Sequence, residues 1–446
     1  MDFILLINQL SDIVCGWPLL IYVGAISIIY TIALHGMQFT YLCKAFKAAL
    51  FPSQTGAQQA EGMSPFHAFM NTINSNLGNG VIAGVATAIY SGGPGAAFWF
   101  VIFGLILMTV RFGEVYISSL FAAEATDKKS TLGGPMLYLK SVPGGKYLPW
   151  LYAFFCVIYG LIGGNVIQAN SMAISLAATW GIAPIVSGIG LLLFVLYILF
   201  GGADRIAQIS LSIVPVKVVV FMASSMTILC VHYQSIIPAL SLIIKSGLGL
   251  QSFAGGVIGF SFQQMLAAGM SRSIFATESG LGSAAIMFGS TGNNNVVQNG
   301  FMGMISTFIS TCIGLIVALC IVASGVWDSG LNSTALTIAA FETVFGMYGG
   351  WIVSFLAVSF GFGVMVSYAY VVKSAWMFIT NHRFGMLFNI TYSLCALAGA
   401  VAAVDFVWDL AGIIIAMMLY INMYGLLVLL PKIKENVFGL LRNYKA

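Results

Sequence analysis

Charged residues are scarce in this chain. Asp, Glu, Lys and Arg make up 7% of its 446 residues, whereas soluble proteins carry about 25%. The sequence also lacks any long polar segment from which a separate soluble domain could form. Several apolar runs instead reach the ~20 residues that are needed to cross a bilayer. The sequence therefore predicts an all-α, polytopic membrane protein in contact with the lipid bilayer.

Patterns that mark enzymes, metal sites and nucleic-acid binding are also missing. The seven Cys lie mostly within apolar runs without metal-ligand spacing, so we interpret them as packing residues. No paired carboxylates or nucleophile–base set lies within the apolar runs, which argues against an intramembrane enzyme. The basic residues are dispersed near predicted helix ends, which argues against a nucleic-acid partner. We therefore expect no enzyme activity and no metal site.

About eleven spans are predicted along the chain. With the N-terminus outside, all Lys and Arg lie on the inner side except Lys245, which is outside, and Lys217, which is within a span. This asymmetry predicts an odd number of spans in the cytoplasmic (inner) membrane, with the C-terminus in the cytoplasm. The predicted segments are an N-terminal region with one extra span, two groups of five spans and a basic cytoplasmic tail: 1–63, 64–233, 234–431 and 432–446.

One predicted span contains a sequence that disfavours a helix. Between Asn74 and Gly84, Gly78 and Gly80 each weaken a helix by about 1 kcal/mol relative to Ala, and the Asn side chains compete for backbone hydrogen bonds. Backbone freed in this way survives in lipid only where it lines a protein-enclosed cavity. An interrupted helix of this kind is typical of the substrate site of a secondary transporter. The alternative is close helix packing at small residues.

A second interruption is predicted at Gly255 and Gly256, within a span over residues 238–270. The two interrupted spans are five apart in chain order, so the halves that begin with them would have opposite topologies. This is the five-plus-five inverted-repeat architecture of many secondary transporters, with the substrate site between the halves. The alternative at these two glycines is again small-residue packing.

Polar groups at the first interruption predict a site for a zwitterion. The N-terminal end of a helix offers free N–H groups to a carboxylate, and the C-terminal end offers carbonyls to an ammonium or another cation. Gly78, Asn79 and Gly80 would form this site. Gln168 and Asn170 lie in an otherwise apolar span and need a polar partner there, which is either the substrate or another helix.

Four charged residues near predicted inner helix ends are candidates for a gate on the cytoplasmic side. Arg111 and Glu114 lie three residues apart on one span, and Arg272 and Glu278 lie near the end of another. Each pair would close the inner mouth as an ion pair, or would cap a helix end without a role in transport.

The chain resembles the alanine/glycine:cation symporter family over about residues 65–430. The resemblance rests on the joint order and spacing of motifs that would be weak singly: Gly78–Ile89, Gly92–Ala96, Gly133–Met136, Gln168–Ser171, Gly201–Ala207 and Arg272–Ala284. It implies the five-plus-five fold of amino-acid transporters and inward co-transport of alanine or glycine, usually with sodium. It also implies that Tyr368, where the family commonly has a large aromatic residue, is a wall of the substrate pocket.

The chain departs from this family where the resemblance implies sodium ligands. Gly363 and Val364, in the predicted span over residues 341–373, stand where the family usually has a Ser-Thr pair, which removes two hydroxyl ligands. Val81 replaces an Asn that follows the second glycine of the first interruption. Lys217 stands where the family usually has an apolar residue, on the helix that lies beside the inner cation site in related transporters.

Lys217 therefore suggests a substitute for the sodium ion. A lone ammonium within a membrane costs ~2.5–3.5 kcal/mol on insertion scales, so it needs oxygen partners or must lose its proton. We hypothesise that the Lys217 ammonium occupies the vacated sodium site, held by carbonyls near Ile82 and Val85 and by the span that contains Gly363 and Val364. The alternatives are that Lys217 extends to the inner interface or that it pairs with another acceptor that the sequence does not identify.

The favoured function is a secondary active transporter that imports a small neutral amino acid, alanine or glycine, by alternating access. The coupling cation is sodium by the resemblance, and a proton or none by the residue evidence at Lys217. An ion channel is a further alternative, although the chain has no short pore-loop signature. The expected partners are the amino acid, the coupling cation and lipid, with no cofactor besides Na+ or H+.

Overall fold

The computed structural model describes residues 13–51, 63–124, 133–249, 261–291, 295–402 and 405–443. These residues form helices and short connections, with no strand in any of the six ranges. The helices up to residue 249 are α1 Trp17–Ala33, α2 Met37–Thr40, α3 Leu42–Leu50, α4 Pro65–Asn76, α5 Asn79–Gly92, α6 Pro94–Glu124, α7 Pro135–Tyr138, α8 Leu148–Leu161, α9 Ile167–Trp180, α10 Pro184–Phe200, α11 Gly202–Val231 and α12 Tyr233–Gly247.

Seven more helices follow in the described residues, and a second interruption separates the first two. They are α13 Phe262–Thr277, α14 Ser283–Gly289, α15 Val296–Ala323, α16 Ser333–Phe345, α17 Tyr348–Ile379, α18 Gly385–Val401 and α19 Asp405–Asn443. Short 3-10 turns lie at Leu139–Ser141 and Val326–Asp328, and the π turn Ile162–Val166 joins α8 to α9.

Seven helical segments among the described residues are long and apolar enough to cross a membrane. They are Ile13–Ala33, Pro94–Glu124, Leu148–Trp180, Gly202–Val231, Val296–Ala323, Met347–Ile379 and Leu410–Gly439, and three shorter apolar helices are α10, α16 and α18. The chain is therefore an all-helical, multi-pass membrane protein. The count of eleven spans, the inverted repeat and the four segment boundaries stay predictions.

The predicted first interruption is present between α4 and α5. Ser64 caps the start of α4 by accepting a hydrogen bond from the backbone N–H of His67, and the helix ends at Asn76. Leu77 and Gly78 are not helical, and the backbone of Gly78 is extended. A side chain at Gly78 would meet Val364 of α17, because a built Cβ would come within 2.5 Å of its Cγ2 atom. The glycine thus permits α17 to pack directly against the interruption.

The second interruption in the described residues differs from the predicted one. It lies between α13 and α14, over residues 278–282, where Glu278, Gly280 and Gly282 all have positive φ angles. The prediction of one span over residues 238–270 is wrong, because α12 ends at Gly247 and α13 continues to Thr277. Gly255 and Gly256 lie outside the described residues.

Several long-range contacts hold the second interruption in place. The Tyr152 hydroxyl of α8 donates a hydrogen bond to the Leu281 carbonyl at 2.8 Å. The Asn422 amide of α19 donates to the Gly280 carbonyl at 2.7 Å and accepts from the Tyr138 hydroxyl. These side chains replace the hydrogen bonds that the interrupted helix lacks, as buried backbone in a membrane requires.

Candidate functional site

A group of buried polar side chains at the end of α4 belongs to the candidate site. Asn71, Asn74, Ser75 and Asn76 are all buried, within an otherwise apolar helix bundle. Asn71 accepts hydrogen bonds from Ser210 of α11 and Ser367 of α17, and Asn74 donates to Ser210. The end of α4 is thereby joined to two neighbouring helices. Sequence reasoning did not assign Asn71, Ser210 or Ser367, and their polar side chains within apolar runs were the available signal.

Lys217 reaches the first interruption from α11. Its side chain has 0% exposure, and its Nζ atom lies 2.6 Å from Asn74 Oδ1, 3.0 Å from the Leu77 carbonyl and 3.4 Å from the Asn74 carbonyl. The ring centroid of Phe360 is 5.1 Å from the same nitrogen. The carbonyls at the end of α4 carry the negative end of a helix dipole. The ammonium therefore occupies a place where a free cation would find oxygen ligands.

The expected carbonyl partners of Lys217 were wrong in detail. None of its recorded hydrogen bonds, within the described part of the chain, goes to Ile82 or Val85. The Ile82 carbonyl instead accepts from Thr337, and a Cβ built on Gly314 would pack against Val85. The reason is that the interruption lies at Leu77 and Gly78, so the free carbonyls belong to the end of α4 and to Leu77, and not to α5.

Gly363 lies beside Lys217, and Val364 follows it on α17. A Cβ built on Gly363 would lie 2.6 Å from Lys217 Nζ and would also collide with Asn74 Oδ1. Val364 is buried and packs against Gly78. The absence of a side chain at position 363 therefore creates the space that the ammonium and the Asn74 amide fill.

Asn79 and Gln168 meet at the start of α5. The Asn79 amide donates to Gln168 Oε1 at 3.3 Å, and the Gln168 amide donates to the Gly163 carbonyl in the π turn. Their exposed fractions of 7% and 8% are higher than those of the polar residues at the end of α4. Gly80 lies beside Asn79, and a Cβ built on it would meet no atom within 4 Å. Free space thus adjoins the first residues of α5.

Asn170 has a different environment from Gln168. Its amide donates to the carbonyls of Gly399 and Ala402 at 3.1 and 2.9 Å. Both acceptors lie at the end of α18, so Asn170 makes the interhelical contact that was the alternative to substrate binding.

Glu278 is the first residue of the second interruption, and its side chain is close to the end of α4. Tyr368 of α17 donates a hydrogen bond to Glu278 Oε1 at 2.8 Å, and Ser283 of α14 donates to Oε2 at 2.9 Å. The Ser75 side chain of α4 faces the same carboxyl group. Tyr368 also stacks edge-on with Tyr159. Glu278 was expected near the inner end of a span, whereas its backbone ends the first half of an interrupted helix.

The charged pairs expected at a gate are arranged differently from the prediction. Arg272 and Glu278 form no ion pair within the described ranges. Arg272 lies within α13, five residues before its end at Thr277 and six before Glu278, so about 9 Å along the helix from Glu278. Its Cδ atom approaches Gly84 of α5.

Arg111 and Glu114 form a fully buried ion pair at 2.6 Å. The Arg111 guanidinium also donates to the Thr277 carbonyl at the end of α13 and contacts Asn76 at the end of α4. Glu114 faces the backbone N–H groups of Gly280 and Gly282, which precede α14. The positive group thus meets a helix C-terminus and the negative group a helix N-terminus, which suits both helix dipoles.

Known proteins are similar in sequence to this chain along almost its whole length. The model of the sodium:alanine symporter family matches residues 2–446. The chain belongs to this family. The sodium/alanine symporter AgcS of Methanococcus maripaludis is 30% identical to it, over 96% of this chain and 95% of AgcS. The transporter YflA of Bacillus subtilis is also 30% identical, over 96% of this chain and 91% of YflA.

A solved structure shares the fold of this member of the sodium:alanine symporter family. It is an Na+-coupled sialic acid symporter in a substrate-bound, outward-open state, with a TM-score of 0.52 and 12% identity over 94% of this chain and 86% of the other. Membership of the family and this fold support cation-coupled amino-acid transport by a multi-pass membrane protein.

Proposed function

We propose that this protein imports a small neutral amino acid, alanine or glycine, across the cytoplasmic membrane by alternating access. We further propose that the Lys217 ammonium takes the place of sodium at the first interruption, so that uptake follows a proton gradient. The observation that carries this proposal is the contact of Lys217 Nζ with the Leu77 carbonyl and with Asn74.

The substrate would bind where free space meets the start of α5. The first N–H groups of α5, at Asn79 and Gly80, have no partner in the preceding turn of helix and are suited to the α-carboxylate. Asn79 and Gln168 would contact the substrate from two sides, because they already form one hydrogen-bonded pair beside this space. Tyr368 would be a wall of the same pocket. Asn170 would hold α18 and would not contact the substrate.

The cation site is the part that distinguishes this chain from a sodium symporter. Sodium needs hard oxygen ligands, and Leu77, Asn74 and hydroxyls at positions 363 and 364 would supply them. In this chain the hydroxyls are absent and Lys217 Nζ fills the space beside Gly363. Two positive charges would not share this space, since an unscreened pair at ~4 Å is strongly repulsive in a low-dielectric interior.

Reconstituted protein tests the proposal directly. Uptake of radiolabelled alanine into proteoliposomes is measured with an inward sodium gradient and with an inward acid gradient, applied separately. We expect the acid gradient to drive accumulation and the sodium gradient to have no effect. Accumulation driven by sodium and not by acid would overturn the proposal and would support the second candidate, the sodium symport that the name of AgcS describes.

A variant of Lys217 tests whether this residue takes the place of sodium. Lys217→Met keeps most of the aliphatic side chain but leaves the Leu77 and Asn74 oxygens without a donor, at about 1–3 kcal/mol for each buried group. We expect alanine exchange to fall strongly, because the end of α4 loses its cation. Lys245→Ala is the matched control, since Lys245 is an exposed residue in the last turn of α12, and its exchange rate should equal that of the parent protein.

Orientation and lipid contact belong to the same proposal. The N-terminus would lie outside and the basic C-terminal tail in the cytoplasm, because Lys and Arg are concentrated on that side of the predicted spans. A cysteine-labelling experiment with a membrane-impermeant reagent, on single cysteines introduced at each terminus of a cysteine-free protein, would distinguish the two orientations.

A further inference from the structure

The charged groups at the two interruptions differ in the partners that compensate their charge. Arg111 and Glu114 neutralise each other at 2.6 Å. Lys217 Nζ has three oxygen acceptors. Glu278 is only 6% exposed, yet no Lys, Arg or His nitrogen of the described residues lies within ion-pair distance of its carboxylate. A buried carboxylate without a cation is costly, so Glu278 has the strongest reason to bind a proton.

Lys217 is unsuited to releasing its proton during transport. Its three contacts are two backbone carbonyls and an amide oxygen, none of which can donate a hydrogen bond. These acceptors suit an ammonium with three N–H groups and would leave the lone pair of a neutral amine facing oxygen. Lys217 is therefore a resident cation, and a coupling proton needs a different carrier.

The partners of Glu278 suit both of its protonation states. Tyr368 and Ser283 bind it through hydroxyl groups, and the side chain facing it from α4, Ser75, is also a hydroxyl. A hydroxyl can donate to a carboxylate or, after rotation, accept from a carboxylic acid. Proton binding therefore requires neither a buried orphan group nor a change of backbone structure.

Glu278 is also held in a backbone conformation that glycine would adopt more easily. Its φ angle is 51°, in the left-handed region that non-glycine residues rarely occupy. Strained backbone of this kind occurs at functional sites, where the surrounding structure holds the residue in place. The side chain is thereby fixed between α4, α14 and α17, which belong to different halves of the predicted repeat.

We propose that Glu278 is the group that binds the coupling proton, an inference that rests on the proposed function. A proton from water on the outer side would add to one carboxylate oxygen, and the neutral acid would donate to Tyr368 or Ser283. The same O–H bond would break on the inner side, and the proton would pass to water there. The other titratable or charged groups that face Glu278 are Arg111 of the α6 ion pair and Tyr152, Cys156 and Tyr159 of α8.

The test separates exchange from driven uptake in proteoliposomes. Glu278→Gln keeps the size and hydrogen bonds of a protonated glutamic acid but cannot release a proton. We expect this variant to retain alanine exchange without any gradient. With an inward acid gradient, we expect its alanine to reach only equal concentrations on the two sides, whereas the parent protein accumulates it. Accumulation by Glu278→Gln under the acid gradient would overturn the proposal.

Loss of alanine exchange in Glu278→Gln, with normal folding by size-exclusion chromatography, would also overturn the proposal, because Glu278 would then bind substrate or hold structure.

Should Glu278→Gln fail to fold, the variant Tyr368→Phe takes its place in the test. That variant removes one donor to the carboxylate and should shift the pH profile of exchange to higher pH, since the protonated form is then relatively favoured. An unchanged profile would count against the proposal.

A control and the parent protein separate the two proposals. Glu342→Gln changes an exposed carboxyl group of α16 and should leave acid-driven accumulation intact. If the parent protein itself shows no acid-driven uptake, the proposed function fails whatever Glu278→Gln does. If the parent responds to acid and Glu278→Gln responds equally, the proposed function stands and only the assignment of Glu278 fails.

Discussion

At the scale of single residues, Lys217 and Gly363 fit each other. The ammonium lies where a side chain on residue 363 would begin. Neither residue alone accounts for the site, because a lysine without the cavity would not fit and a glycine without the lysine would leave unpaired oxygens on Leu77 and Asn74. Lys217 and Gly363, which both depart from the pattern that the family resemblance implies, therefore form a single structural arrangement.

Gly363→Ala should destabilise the protein. The added methyl group would lie 2.6 Å from Lys217 Nζ and would collide with Asn74, and overpacking of this kind costs about 1–3 kcal/mol. Thermal unfolding in detergent should show a lower midpoint. Gly190→Ala on α10 is the matched control, because nothing lies within 4 Å of the added Cβ and alanine favours the helix by about 1 kcal/mol. Equal midpoints for the two variants would contradict the expected clash.

At the scale of helices, the Arg111–Glu114 pair holds the two interruptions together. The guanidinium contacts the ends of both α4 and α13, and the carboxylate faces the start of α14. One helix turn of α6 therefore replaces backbone hydrogen bonds that two interrupted helices lack. This arrangement favours a role in holding the site over the predicted role as a gate.

Arg111→Met should cost about 3–5 kcal/mol, the usual loss when one partner of a buried ion pair is removed. The Glu114 carboxylate and the Thr277 carbonyl would lose their donor. The double variant Arg111→Met with Glu114→Leu should regain part of this loss, since no unpaired charge remains. Unfolding of Arg111→Met, Glu114→Leu and the double variant in detergent gives the comparison. A double variant that loses as much stability as the two single variants together would show that the two residues act independently.

The first interruption could be predicted from sequence because its cause is local. Gly78 and the neighbouring Asn residues disfavour a helix on their own. The second could not be located, since glycine pairs occur at both residues 255–256 and residues 280–282, and contacts from Asn422 and Tyr152 hold the latter open. The position of Lys217 within an apolar helix was likewise predictable. Its partners were not, because they depend on which residue ends α4.

At the scale of the whole molecule, the proposed independence from sodium rests on a small number of atoms at the first interruption. Leu77 and Asn74 offer three oxygens to whichever cation is present. A resident ammonium in place of a bound ion would keep the helix ends neutralised throughout the transport cycle. It would also remove the need for sodium. The same fold would then move the same class of substrate under a different gradient.

Restoring the sodium ligands should restore sodium dependence. In the triple variant Lys217→Ala, Gly363→Ser and Val364→Thr, the ammonium is gone and two hydroxyls join the oxygens of Leu77 and Asn74. The serine would take the space that the Lys217 ammonium filled, and the Asn74 side chain, which a Cβ at residue 363 also meets, would have to turn aside once it has lost its contact with Lys217. Threonine has nearly the shape of the valine that packs against Gly78. Alanine exchange by this variant should require sodium, whereas exchange by Lys217→Ala alone should stay weak with or without it. A folded triple variant whose exchange ignores sodium would show that the cation position lies elsewhere, because its five oxygens would then fail to bind the ion they are suited to bind.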